Sequence, residues 1–232
     1  HLSLRRQRQM CIRDSHYTMG QYFKLINYDK KQRYNPSDTT FAIKWYGFTR
    51  DFANSVATID LLAHDWEGDR VAIVGDYENK QDYLGDDFQD IPGDHIRKIV
   101  ERNINVSFEK SQHGWYELPE SCNVHYCGND VKKSYAFVNY DKHEFMRFDG
   151  FDMQGNTYQD IINTSYTTGA YFTICHLLSS NFSYGNSYDS WSRNKVGIIP
   201  INDTMLSSMN DITKDILQEP DISEFYLDDT WI

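Results

Sequence analysis

The residues best suited to chemistry lie in Trp66–Tyr77, which reads WEGDRVAIVGDY. Arg70 could bind an anionic group through its guanidinium, with Asp69 holding that guanidinium in place. Asp76 and Tyr77 end the apolar run and could line the same cleft. The alternative, which the sequence favours, is a structural Asp–Arg pair beside a tryptophan that fills the core.

A second copy of this segment, Trp191–Asp203, reads WSRNKVGIIPIND. Lys195 occupies the position of Arg70, whereas Asn194 replaces Asp69. Because the basic residue is kept and the acid is not, the pair fits a structural or ligand-facing cation better than a catalytic acid. The residues predicted to bind a ligand are Arg70, Trp66, Tyr77, Trp191 and Lys195.

Acid–base chemistry has three candidate residues. His64, Asp69 and Asp76 could serve as acid and base, with Arg70 as an electrophilic clamp in a hydrolase. No two of these residues have a recognised catalytic spacing, and a capping or surface role for His64 is the favoured alternative.

Metal binding has a weaker pattern. Cys122 and Cys127, with His125 between them and His113 upstream, suggest zinc, but the spacing differs from the usual Cys-x₂-Cys knuckle. On a strand, the odd offset between the two cysteines places them on opposite faces. We expect no metal and no cofactor.

Paired elements must position these residues. Phe23–Tyr34 and Tyr135–Phe148 each contain Asn-Tyr-Asp-Lys between two apolar runs, which predicts two β-hairpins. The helical spacing of apolar residues in Asp51–Ala63 and Thr167–Ser179 predicts a helix after each hairpin. A Trp-led strand follows each helix.

A closing helix is predicted for each copy. Asp94 would cap Ile96–Arg102, and Asp203 would cap Met205–Leu217. Pro200 would place the second Trp-led strand at an edge or a bulge.

The fold class expected is α+β, with two pseudo-equivalent β-hairpin/helix/strand/helix units sharing a core. The boundaries are 19–112 for the first pseudo-repeat, 113–133 for a connecting segment, and 134–232 for the second with a C-terminal tail. Residues 5–15, RRQRQMCIRDS, look like translated sequencing-adapter DNA. We therefore interpret residues 1–18 as an artefactual extension and Met19 as the natural start.

Charge and composition limit the classes of partner that we expect. The chain of 232 residues has a net charge of −11, and residues 19–232 carry −14. A protein that binds the phosphate backbone needs a basic face, so duplex nucleic acid is an unexpected partner. No apolar run is long enough to span a membrane. The few cysteines favour a reducing, cytoplasmic location.

A family resemblance comes from several motifs together. Met19-Gly20-Gln21-Tyr22-Phe23, the later Trp66-x-Gly68-Asp69-Arg70-Val71 and Gly75-Asp76-Tyr77 resemble a family of bacterial, phage-associated and fungal proteins that begin MGQY plus an aromatic residue. The likeness covers most of residues 19–203. It implies no particular activity, cofactor or catalytic residue.

Three functions are consistent with these patterns. The first is a binding protein that holds a small anionic, nucleotide-like ligand or a protein partner in the groove between the pseudo-repeats. The Tyr- and Asn-rich loop Asn181–Ser190 is an alternative contact surface. The second function is the hydrolase described above. The third is an acidic inhibitor or nucleic-acid mimic, which could be phage-borne.

Overall fold

The computed structural model describes residues 22–36, 48–49, 51–77, 80–104, 107, 109–110, 116–117, 135–149, 167–179 and 190–217. The helices are α1 (Phe52–Ala63), α2 (Lys80–Leu84), α3 (Gly93–Ile104), α4 (Thr167–Leu178) and α5 (Thr213–Leu217). The strands are β1 (Phe23–Asn27), β2 (Gln32–Tyr34), β3 (Asp69–Gly75), β4 (Gln89–Asp90), β5 (Glu109–Lys110), β6 (Tyr116–Glu117), β7 (Tyr135–Asn139), β8 (Glu144–Arg147), β9 (Asn194–Pro200) and β10 (Asn210–Asp211). The fold class is α+β, as expected.

One eight-stranded sheet runs through both halves of the chain, in the order β10-β8-β7-β9-β3-β1-β2-β4. The hairpins β1–β2 and β7–β8 are antiparallel, and β3 and β9 each pair antiparallel with the first strand of their own hairpin. The two-residue strands β4 and β10 pair parallel with β2 and β8. The described strands of each half therefore follow the same order outward from the centre.

The centre of the sheet is the antiparallel pair β3–β9, which we call the seam. Arg70 lies directly opposite Lys195. Beyond the pair, the Gly68 N–H donates to Val196 O at 2.9 Å, and the Arg193 N–H donates to Val71 O at 2.8 Å. The seam thus joins the halves through backbone hydrogen bonds.

The two Asn-Tyr-Asp-Lys turns contain the same pair of hydrogen bonds from backbone N–H groups to the asparagine side chain. Asn27 Oδ1 accepts from the N–H groups of Asp29 and Lys30 at 3.0 and 2.8 Å. Asn139 Oδ1 accepts from the N–H groups of Asp141 and Lys142 at 3.1 and 3.0 Å. A short side-chain amide thus closes each hairpin.

Left-handed backbone also occurs at matching positions. Lys31 and His143, one residue after each Asn-Tyr-Asp-Lys, both have φ of 54°. Gly68 and Arg193, two residues after each tryptophan, have φ of 79° and 65°. These local matches agree with the predicted pseudo-repeats, but whether the two halves superpose stays a prediction.

The main core lies between one face of the sheet and the helices α1, α3 and α4. Asp51 caps α1 by accepting from the Asn54 N–H at 2.8 Å. Inward residues of the central strands, including Ile73 and Ile198, pack there against residues of the helices. Trp66 and Trp191 belong to the same core and are completely buried.

Three local predictions need correction. The predicted helix over Met205–Leu217 is wrong: Asp203 caps a 3₁₀ helix, Thr204–Ser208, and Asn210–Asp211 then joins the sheet before α5. Asp94 lies inside the first turn of α3 and does not precede it. Pro200 does not mark an edge, because β9 is central and the proline is its last residue, where a ladder can end.

Candidate functional site

The predicted cations meet on the sheet face opposite the main core. Side chains alternate along a strand, so Arg70 points away from the core that receives Val71 and Ile73. Lys195 precedes the core residue Val196 and points to the same side as Arg70. Both cations are exposed. Like charges directly opposite each other in an antiparallel pair are unfavourable unless other charges compensate them.

Asp29 compensates the charge of Arg70. Its carboxylate accepts from the Arg70 N–H at 2.7 Å and from Nε at 2.8 Å, with a further bond from Nη2. The hydrogen bond from the guanidinium is the largest cause that holds the pKa of Asp29 below its ordinary value, and Lys195 adds a smaller effect. The Asn-Tyr-Asp-Lys turn therefore positions the carboxylate that orients Arg70.

Lys195 has a different arrangement. Asp141 Oδ2 accepts from the Lys195 backbone N–H at 2.8 Å, which parallels the bond from Arg70 N–H to Asp29. The described residues place no carboxylate within ion-pair distance of Lys195 Nζ. The ammonium group is thus the cation of the pair with the greater capacity to accept a further anion.

Two tyrosines cross the seam beside these cations. Tyr28 donates from its hydroxyl to Asp82 at 2.7 Å, and Arg193 from the other half reaches both residues. The Arg193 guanidinium carbon lies 5.1 Å from the centre of the Tyr28 ring. Burial and the bond to Asp82 raise the pKa of Tyr28 to about 12.

The second tyrosine makes the reciprocal contact. Tyr140 donates from its hydroxyl to Glu67, which lies in the Trp66 loop of the other half. Its ring covers Gly197: a Cβ added there would lie 2.9 Å from Tyr140 Oη. Burial is the main cause that raises the pKa of Tyr140. The two crossings fix the halves on either side of Arg70 and Lys195.

The tryptophans do not join the cations. Trp66 and Trp191 lie in the main core, on the far side of the sheet from Arg70 and Lys195. The Trp191 ring packs against Phe137 with centroids 5.0 Å apart. Neither indole is placed to stack on a ligand that sits on the two cations. Tyr77 is half exposed and follows the opposite end of β3 from Arg70.

The acid–base candidates are likewise dispersed. Asp69 accepts from Asn27 Nδ2 at 2.8 Å and from Lys30, while Asp76 accepts from the Tyr22 N–H at 3.1 Å beyond the other end of β3. Asp76 follows Asp69 by seven positions along an extended strand, which puts their Cα atoms roughly 23 Å apart. His64 Nδ1 lies 3.0 Å from Asp60 O at the end of α1. Asp69 and Asp76 thus lie at opposite ends of β3, and no hydrogen bond or ion pair among the described residues links His64 to either of them.

The structure also contains a cleft that the sequence analysis missed. It has a volume of about 290 Å³ and lies between the sheet edge and the helices α1 and α3. Trp66, Leu61 and Ile91 form its apolar part. Its polar lining consists of Gln32, Asp65, Gln89, Asp90 and His95. The sequence offered little signal, because these residues come from four separate elements and loops.

Other predicted features fall elsewhere. Cys122, Cys127, His113 and His125 lie outside the described residues, as does most of the loop Asn181–Ser190. Within the described ranges, no group of three or more His, Cys, Asp or Glu side chains is placed to hold a metal ion. The described helices are all too short or too polar to cross a membrane.

No family model, curated protein or solved structure matches the chain. The resemblance to proteins that begin MGQY therefore stays a prediction, and the function is inferred from the geometry of the site.

Proposed function

We propose that the protein is a binding protein whose ligand is a small anion held at the seam by Lys195 and Arg70. The observation that carries this proposal is the direct cross-strand pairing of two exposed cations at the centre of the sheet, away from the main core. A sheet gains nothing in stability from such a pair unless neighbouring charges or a bound anion offset the repulsion.

The two cations would bind the anion through different donor groups. Arg70 is oriented by Asp29 through three hydrogen bonds, and the remaining nitrogen, Nη1, makes no hydrogen bond to a described residue. Lys195 Nζ is a compact point charge with no ion pair among the described residues. A phosphate-like group could bridge Nζ and Nη1, because both are donors that carry charge.

The ligand is expected to be anionic at the bound end and free of strict aromatic stacking. The tryptophans lie across the sheet, and the hydroxyls of Tyr28 and Tyr140 already donate to carboxylates. Charge is therefore the main source of affinity, and binding should weaken as ionic strength rises. The sequence predicted a nucleotide-like ligand. The two cations suit the phosphate of such a ligand, but neither tryptophan is placed to stack on its base.

Two substitutions with opposite expected effects test this function. Lys195→Met should weaken the binding of inorganic pyrophosphate about tenfold or more, because a hydrogen bond to a charged group is lost. Asp29→Asn should strengthen binding, since Arg70 loses the carboxylate that competes with the ligand. Isothermal titration calorimetry measures both, with Lys214→Met, at an exposed position of α5, as the matched control.

The titrations distinguish an anion site from a purely structural cluster of charges. Opposite changes in the two variants, with an unchanged control, support the anion site. Equal affinity in wild type and Lys195→Met, or no binding of pyrophosphate, inorganic phosphate or AMP by any of them, contradicts it and leaves the four charges a purely structural network.

A further inference from the structure

We infer that the cleft beside Trp66 is a second binding site, for a small neutral molecule rich in hydroxyl groups, such as a monosaccharide or a cyclic polyol. The cleft lies on the helix side of the sheet, so it is separate from the anion site proposed at the seam. Its volume of about 290 Å³ is near the lower end for ligand sites in proteins. That volume equals roughly ten water molecules, which suits a ligand of about that number of heavy atoms.

The floor of the cleft contains Trp66, which holds one polar side chain in place. Trp66 is completely buried, and its Nε1 donates to Gln32 Oε1 at 3.0 Å. That bond occupies the oxygen of the amide, so Gln32 retains its NH₂ group as a donor for the cleft. A preformed polar group of this kind orients a ligand at small entropic cost.

The remaining polar lining supplies both donors and acceptors. The Asp65 carboxylate lies 3.8 Å from the imidazole nitrogen Nε2 of His95, beyond hydrogen-bond distance. The Gln89 side chain is exposed and carries one amide donor group and one acceptor. Hydroxyl groups donate and accept at the same time, so a polyhydroxylated ligand can use all of these partners.

The charges around the cleft disfavour an anionic ligand. Asp90 lies 2.7 Å from Arg33 Nε and 3.7 Å from Lys24 Nζ, and both of these cations are buried. They balance the charge of Asp90, and strand alternation places both of them on the sheet face away from the main core. An anion in the cleft would meet the Asp65 carboxylate, so an anionic ligand is disfavoured.

The indole N–H of Trp66 gives a local readout of binding. Its NMR resonance reports on the Gln32 bond and on the cleft, and not on the seam across the sheet. Titration with D-glucose, D-ribose or myo-inositol should shift this resonance along a saturable curve for at least one of the three. Asp65→Ala should weaken that binding about tenfold or more, since a carboxylate acceptor is lost.

Two controls separate this site from the anion site and from general effects. Gln81→Ala, on the exposed face of α2, and Lys195→Met at the seam should both leave sugar binding unchanged. The inference is overturned if none of the three compounds shifts the Trp66 resonance, or if Asp65→Ala binds as well as wild type. It is also overturned if inorganic phosphate or putrescine shifts that resonance at lower concentration than the sugars do.

Discussion

Replacement of Asn194 by Asp should stabilise the folded protein. Asn139 is completely buried, and its Nδ2 has no hydrogen-bond partner among the described residues. The orientation of its amide is fixed, because Oδ1 already accepts from two backbone N–H groups of the turn. In the other half, the matching residue Asn27 donates from Nδ2 to Asp69 at 2.8 Å. Asn194 occupies the position of Asp69.

The expected gain follows from that comparison. A buried donor without a partner costs about 1–3 kcal/mol, and a carboxylate at position 194 would accept from it. Partial burial of the new charge offsets part of this gain, so we expect a net stabilisation of about 1 kcal/mol. In a chain of this size that corresponds to a rise in Tm of about 2–4 °C.

Urea denaturation of the wild type and of the Asn194→Asp variant measures the difference in their free energies of unfolding. Asp69→Asn serves as the matched variant, because it removes the charged acceptor from the intact copy of the same bond and should destabilise by about 1 kcal/mol. If the Asn194→Asp protein is no more stable than wild type, Asn139 Nδ2 is not a buried donor without a partner, and the expected gain is contradicted.

Three further outcomes are expected. Gly197→Ala should lower the free energy of unfolding, measured with urea, by about 1–3 kcal/mol, because Tyr140 must move away from the new Cβ. An unchanged free energy of unfolding would contradict this contact. Burial raises the pKa of Asp51 to about 6, whereas the unfolded value is about 3.9. The folded state therefore binds the extra proton between these values, so stability should fall as pH rises through them, and Asp51→Asn should remove that slope. Burial raises the pKa of the Cys175 thiol, so iodoacetamide should label it in urea but not in the folded protein, as measured by mass spectrometry.

Much of the fold could be predicted because local patterns agreed with tertiary packing. The polar turn between two apolar runs specified each hairpin, and helical spacing specified α1 and α4. The helix predicted after Asp203 was wrong, because Asn210–Asp211 pairs with β8 and forms the edge strand β10 of the sheet. That long-range contact overrides a helical pattern. A strand of two residues carries too little periodicity to be recognised in the sequence.

The candidate sites were harder to predict. Sequence similarity between the Trp-led segments identified Arg70 and Lys195 as equivalent, but their cross-strand pairing depends on the register of the seam. Trp66 lies in the turn before β3 and packs into the main core, whereas Arg70 lies on the strand and points to the opposite face, which the separate motifs did not show. The cleft depends on Gln32 and His95 meeting across a large sequence separation, and no local pattern encodes that.

The most direct test of the proposed function is an NMR titration of the protein with inorganic pyrophosphate, followed at the backbone amides. The largest saturable shifts are expected at Arg70, Lys195 and their neighbours along the seam. Shifts that are largest elsewhere, or an unchanged spectrum, would contradict the claim that this cross-strand pair of cations binds an anion.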